Sequence, residues 1–194
     1  MSQKLHRYII FYKPYCVLSQ FTDDAGRRTL AEFGFPKNVY SIGRLDYDSE
    51  GLLLLSDDGR FKHKLIEPKF EHPRTYLVQV ERIPNESNLK KLRRGVLIQD
   101  YKTKPAKVKL LEKEPPLPPR DPPIRFRKNV PTAWLELTIY EGRNRQVRKM
   151  TAAIGFPTLR LVRIAIGSLG LQDMQPGEWR ELENEEIALL TAML

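Results

Sequence analysis

Short runs of strand pattern, some apolar throughout and some alternating, recur along this chain, and helical spacing is confined to a few segments. Short apolar or alternating runs predict strands over Tyr8–Tyr12, Val39–Gly43, Gly51–Ser56, Thr75–Glu81, Val96–Ile98, Ala106–Leu111 and Ala133–Tyr140. In the last, Leu135, Leu137 and Ile139 share one face, and Trp134, Glu136, Thr138 and Tyr140 share the other. Leu52 to Leu55 is instead a continuous apolar run, which suits a strand buried on both faces. Helices are predicted over Phe61–Ile66, over Glu86–Arg94 with Gly95 just past its end, and over Asn144–Ile154 with Gly155 and Pro157 as stop signals. From Asn184 to Leu194, Ile187, Leu190 and Leu194 recur at helical spacing in an acidic segment, the pattern of a terminal packing helix. Strands outnumber helices without a regular βαβ alternation, so the expected fold is α+β on a mixed, mainly antiparallel sheet. Seven of the 15 prolines fall between Pro115 and Pro131, and no regular element can run through that segment. No internal repeat interrupts this plan.

Composition narrows the class. The 194 residues suffice for one domain, or one domain with two lobes. Cys16 is the only cysteine, which excludes a disulfide-stapled miniprotein, and His6, His63 and His72 are too scattered for a zinc site. No apolar run approaches the roughly 20 residues of a membrane span, and the N-terminal runs are too short for a signal peptide. The expectation is a soluble protein of the reducing cytoplasm, with no membrane span. Lys and Arg total 33 against 24 Asp and Glu, a formal charge of +9, which points to a polyanionic partner: nucleic acid first, an acidic membrane surface second. The surplus is uneven, +7 over 120–163, −5 over 164–194 and +7 over the rest. The Pro-rich segment itself carries Arg120, Arg125, Arg127 and Lys128, so it reads either as a spacer or as a stiff basic loop lying along phosphates.

The densest signal is the acidic turn from Gly43 to Gly59. Three readings compete for it. Asp48 and Ser49 suit a plain solvated turn. Asp46, Asp48, Glu50, Gly51 and Asp57 fall at calcium-loop positions, although that loop needs a helix on each side. The alternation of Arg44 and Asp46, ahead of a rigid strand, instead suits a carboxylate nucleophile or base beside an arginine. A second dense segment runs from Glu141 to Met150. A helical wheel puts Val147, Met150 and Ile154 on one side and Arg145, Arg148 and Lys149 on the other. Gly142 would let backbone approach a phosphate closely, and arginines in a first helical turn oppose the helix dipole, which suggests an anion as the missing partner. The alternative is a solvated cationic face. Tyr76, on a predicted strand, suits either half-buried packing or stacking on an unpaired base.

Taken together, Gly43-Arg44-Leu45-Asp46, Arg74-Thr75-Tyr76-Leu77-Val78 and Glu141-Gly142-Arg143-Asn144-Arg145-Gln146-Val147-Arg148 resemble the three ordered motifs of the RsuA/RluB/RluE/RluF family of rRNA pseudouridine synthases. Gln20-Phe21-Thr22-Asp23, Arg120-Asp121-Pro122-Pro123-Ile124-Arg125, Gly155-Phe156-Pro157-Thr158-Leu159-Arg160-Leu161 and Gly177-Glu178-Trp179-Arg180 are similar to the RluE-type subfamily, which acts on 23S rRNA. The resemblance implies the pseudouridine synthase fold: two lobes, about 1–72 and 73–194, flanking helices, a central RNA-binding cleft, and chemistry without cofactor or metal. With the first predicted strand near Tyr8, no N-terminal S4 domain is expected, so target choice would rest on the catalytic domain, acting as a monomer. Carried over by motif, Asp46 would be the catalytic aspartate, breaking the N-glycosidic bond by attack on ribose or base, or by elimination. Tyr76 would stack on the flipped uracil, and Arg148 would pair with Asp46. Arg44, Arg143, Asn144, Arg145, Gln146, Lys149, Arg120 and Arg125 would hold RNA, and Val147 would line the pocket, although the wheel puts it on the packing side. Two rivals remain, a related synthase with another rRNA target and a non-catalytic rRNA-binding or assembly module. Intact Asp46, Tyr76 and Arg148 speak against the second.

Overall fold

The computed structural model of the protein describes residues 6–67, 70–124 and 129–193. The chain divides into two compact units, Met1–His72 with Ala165–Leu194, and Pro73–Ile164.

In the first unit, β1 (Tyr8–Lys13) pairs antiparallel with β3 (Glu50–Ser56), from Tyr8 opposite Ser56 to Lys13 opposite Gly51. All seven residues of β3 are buried, as the continuous apolar run predicts. Between these strands lie a 3-10 turn (Leu30–Phe33), capped by Thr29, and β2 (Tyr40–Ile42), which pairs with Leu54–Ser56 of β3. Helix α1 (Gly59–Ile66) follows β3 at once because the Asp58 carboxylate accepts from the Arg60 and Phe61 N–H groups, at 2.9 and 3.0 Å. The expected second lobe, 73–194, included the C-terminal residues. The structure instead groups 165–194 with the first unit, because β11 (Trp179–Glu181) pairs antiparallel with β1. Trp179 packs on Phe35, and its indole N–H donates to the Phe33 carbonyl at 2.8 Å. The chain closes on α4 (Asn184–Thr191), which buries Leu190. A bidentate Arg180–Glu186 pair, at 2.6 and 2.7 Å, fixes its first turn.

In the second unit, β4 (Arg74–Glu81) and β8 (Thr132–Ile139) pair antiparallel over their full lengths, and β7 (Lys107–Leu110) adds to the other edge of β8. Leu135 and Leu137 are fully buried, so the alternation in β8 did mark a core face; trimming either to Ala would cost about 2–5 kcal/mol. Helix α2 (Glu86–Arg94) buries Leu89 and Leu92 and is capped by an Asn85–Asn88 box. A hairpin of β5 (Leu97–Ile98) and β6 (Tyr101–Lys102) follows it. Helix α3 spans Gln146–Ala153, and β9 (Thr158–Ile166) lies beside β4 before carrying the chain back into the first unit, where β10 (Leu169–Gly170) pairs with its end. No strand was predicted at β9, because Arg160 and Arg163 break its apolar pattern; both arginines are 5% exposed. Among the described residues, no helix is long and apolar enough to cross a membrane.

Candidate active site

The turn before β3 is held through its backbone. The Ser19 hydroxyl donates to the Leu45 carbonyl (2.8 Å) and accepts from the Leu45 N–H (3.0 Å), while Ser41 donates to the Ser19 carbonyl (3.1 Å). One residue beyond Asp46, the Tyr47 carbonyl accepts from the Cys16 N–H at 2.9 Å, and the Asp46 carbonyl accepts from the Ser49 N–H at 3.0 Å. Leu45 is buried, Asp46 half-buried and Arg44 exposed. Main-chain bonds therefore clamp both sides of Asp46, which restricts the direction in which its carboxylate can point.

Behind the turn lies Lys13, with no exposed surface. Its ammonium donates to the Pro14 and Val17 carbonyls at 2.9 and 2.7 Å. Burial pushes its pKa down to about 7, against the upward pull of Glu50, Cys16, Asp48 and Asp46. Sequence reading did not single it out, because a lysine ending an apolar strand resembles any strand terminus. The calcium spacing dissolves in this unit. Strands flank the turn, Glu50 is buried in β3, Asp57 accepts from the Arg7 N–H and bonds His6, and Asp58 caps α1. Among the described residues no His, Cys, Asp or Glu cluster is placed to hold a metal ion.

The second unit holds the remaining motif residues. Tyr76, 7% exposed, alternates along β4 with Val78 and Val80, buried on the same face. Arg74 is half-buried, and a Cβ placed on Gly142 would lie 3.7 Å from its guanidinium, an ordinary van der Waals distance, so the motif loop runs close to that arginine without requiring glycine there. Burial pulls the Arg74 pKa down; Tyr76 opposes the shift and the charge of Arg163 adds to it. Arg145 takes the left-handed conformation (φ 52°) as N-cap of α3. Arg143 and Arg145 thus precede the helix, and only Arg148 lies in its first turn, so the expected crowding of three arginines against the dipole is relaxed.

Glu141 organises this loop. Its carboxylate accepts from the Tyr101 hydroxyl, the Gln146 amide and the Lys104 N–H, the last at 2.9 Å. The Gln146 carbonyl oxygen accepts in turn from the Arg143 N–H at 3.0 Å. Gln146, expected to contact RNA, is 4% exposed and spent inside the loop. Arg143, Asn144 and Arg145 are exposed, and the Arg143 guanidinium stacks on Tyr101 at 3.4 Å from the ring centroid. Arg148 and Lys149 are half-exposed, and Arg148 donates to the Thr158 carbonyl at 3.4 Å. Val147 is buried with Met150, as the wheel placed it.

The described part of the Pro-rich segment is anchored to the fold. Arg120, expected to lie along phosphates, donates to the Pro122 carbonyl at 2.8 Å and the Leu159 carbonyl at 3.5 Å, and Arg160 donates to Pro118 at 2.9 Å. These bonds tie the segment to β9. Arg125, Arg127 and Lys128 lie outside the described residues.

The structure thus puts Asp46 and Arg44 in the first unit, and Tyr76, Arg148 and the basic motif loop in the second. A family model described as RNA pseudouridylate synthase matches residues 7–153, a span that contains all three motif segments. The chain belongs to the RNA pseudouridylate synthase family. The fold and family expected from the motifs are therefore borne out. A Xanthomonas campestris pv. campestris protein named ribosomal large subunit pseudouridine synthase E is 59% identical over 174 residues, 89% of this chain and 93% of that protein. A Bacillus subtilis protein named ribosomal large subunit pseudouridine synthase B is 42% identical over 96% of this chain and 72% of its own length. Among solved structures, one described as a pseudouridylate synthase aligns with a TM-score of 0.80 at 30% identity, covering 98% of this chain and 76% of that one.

Proposed function

We propose that this pseudouridine synthase isomerises a uridine of 23S rRNA, a reading supported by the large-subunit name of its relative, and that Asp46 carries the chemistry. In the reaction the N-glycosidic bond breaks, the freed base rotates, and a carbon–carbon bond forms to the ribose. The proton lost from the ring carbon is balanced by one gained on the ring nitrogen, so no oxidant, metal or cofactor is needed. Asp46 supplies the carboxylate on a clamped turn. Tyr76 supplies a flat, rigidly held ring for a base that has left its stack. Arg148 is the motif arginine assigned to the catalytic set, and Arg44, Arg143, Asn144, Arg145 and Lys149 hold the backbone around the target. The observation that carries the reading is the 59% identity to an E-type synthase across 89% of this chain. The 42% identity to a B-type synthase favours one second reading, the same chemistry at a different large-subunit uridine.

The test is to incubate the protein with 23S rRNA, as transcript and as assembly intermediate, and to map pseudouridine at nucleotide resolution. One new site at the E-type position, formed equally well in excess chelator once the RNA is folded, is the expected result. A site elsewhere selects the second reading. No product on any rRNA form would overturn both.

A further inference from the structure

The sequence charges divide sharply between the two units. Pro73–Ile164 carries 21 Lys/Arg against 8 Asp/Glu, net +13, whereas the other unit carries 12 against 16, net −4, and together they make the +9 of the chain. Within the basic unit, +7 lies between Lys90 and Lys109, where eight Lys/Arg face a single acid, Asp100. None of these residues belongs to a motif segment.

The structure shows how that charge is displayed. Helix α2 turns Leu89 and Leu92 inward and leaves Lys90, Lys91 and Arg94 exposed. The hairpin continues this surface. In its cross-strand pair Leu97–Lys102 both residues are exposed, Leu97 to 67%, while Tyr101 of the other pair is half-buried against the motif loop, on Arg143 and Glu141. The hairpin is also tightly joined to α2. The Val96 N–H donates to the Thr103 hydroxyl (3.0 Å), the Thr103 N–H donates to the Val96 carbonyl (2.9 Å), and the Thr103 carbonyl approaches Gly95 so closely that a Cβ there would stand 2.1 Å away. One carboxylate, Glu141, thus locks a basic arm to the loop that carries Arg143 and Arg145. A solvated face would ordinarily mix signs; here the exposed acids are Glu86, which is paired with Arg93, and Asp100 at the hairpin turn. Lys107 and Lys109 have a separate explanation, since alternating lysines protect an edge strand such as β7 from pairing. The exposed residues of α2 and the hairpin have no such explanation, and a hydrophobic side chain bared beside cations suits the mixed sugar and phosphate surface of RNA.

We infer that the exposed face of α2 and the β5–β6 hairpin, through Lys90, Arg94, Leu97 and Lys102, form a second RNA-contact surface that grips the backbone flanking the target nucleotide, kept in register with Arg143 and Arg145 by Glu141. The inference rests on the proposed RNA substrate, and binding is measured separately from modification so that the two can fail separately. The full chain and a Lys90→Gln/Arg94→Gln/Lys102→Gln variant are titrated with a large-subunit rRNA fragment over a range of salt, with Arg60→Gln/Lys64→Gln in the first unit as control. The triple variant is expected to bind at least about tenfold more weakly at 0.15 M salt, with the slope of log Kd against log salt shallower by about two. The control should match wild type. An unchanged slope in the triple variant, an equal loss in the control, or a wild-type protein that does not bind the RNA would overturn the inference. Wild type that binds with the expected slope difference but makes no pseudouridine would remove the functional reading and leave the surface standing.

Discussion

The two units share a building plan, antiparallel strands with capped helices, yet differ in charge and in how each fixes its functional loop. The unit of net −4 holds Asp46 in a turn clamped by neutral bonds from Ser19, Ser41 and Cys16. The unit of net +13 holds its arginine loop through ionised or aromatic groups: Glu141, Arg143 and Tyr101. Holding a polyanion and reacting with one nucleotide make opposite demands. The first needs many mobile cations whose effect adds and is screened by salt. The second needs one group at one orientation, and hydrogen bonds to backbone, indifferent to salt, provide it. The overall +9 is therefore the sum of two unlike units, and it conceals the acidic one.

The largest test of this contrast is Asp46→Asn. Pseudouridine formation should fall by at least about a thousandfold, while the rRNA Kd stays near that of wild type; a large loss of binding would mean that the acidic unit also grips the RNA. Next is Gly95→Ala. With φ at 81° and the Thr103 carbonyl 2.1 Å from the new Cβ, urea unfolding should show a loss of about 2–3 kcal/mol. A variant as stable as wild type would show that the basic arm is not rigid.

Lys13→Met probes the acidic unit. The pKa of Lys13 is lowered from 10.5 to about 7 on folding, so between those values the unfolded chain binds more protons and stability rises with pH. Between pH 7.5 and 9.5 wild type should gain on the order of 1–2 kcal/mol relative to Lys13→Met in urea titrations; parallel pH profiles would refute the buried-ammonium account. The smallest effect is expected from Glu185→Gln in the first turn of α4, which should cost about 0.3–0.5 kcal/mol through the helix dipole and leave the salt slope of RNA binding unaltered. A changed slope would mean that the acidic unit contributes to the RNA surface.

Legibility in the sequence followed the strength of local periodicity. Strands β1, β3, β4 and β8 and helix α2 were readable because each repeats its pattern over several residues and buries the face that the pattern names. Strand β9 was not, since Arg160 and Arg163 occupy buried positions that a pattern reader assigns to solvent. The start of α3 was misjudged by two residues because a left-handed arginine N-cap carries no side-chain capping signature. At the site, local composition leaves Asp46 within one of three readings of its turn, and only the order of the three motifs singles it out. The sequence does not separate two roles for Gln146, because an amide in a basic motif suits RNA and suits a buried bond to Glu141 equally well, and the structure shows the bond.

What the sequence determined by itself was the family, the α+β plan and the identity of the candidate reacting and RNA-holding residues, because motif order, spacing and periodicity are one-dimensional properties. Tertiary structure alone decided which unit the C-terminal strand joins, that Lys13 is a buried ammonium behind the turn, that Arg120 of the Pro-rich segment binds backbone carbonyls, and that Glu141 ties a distant hairpin to the motif loop. Each of these depends on burial or on a partner many residues away in the chain, and neither leaves a mark on the local order of amino acids.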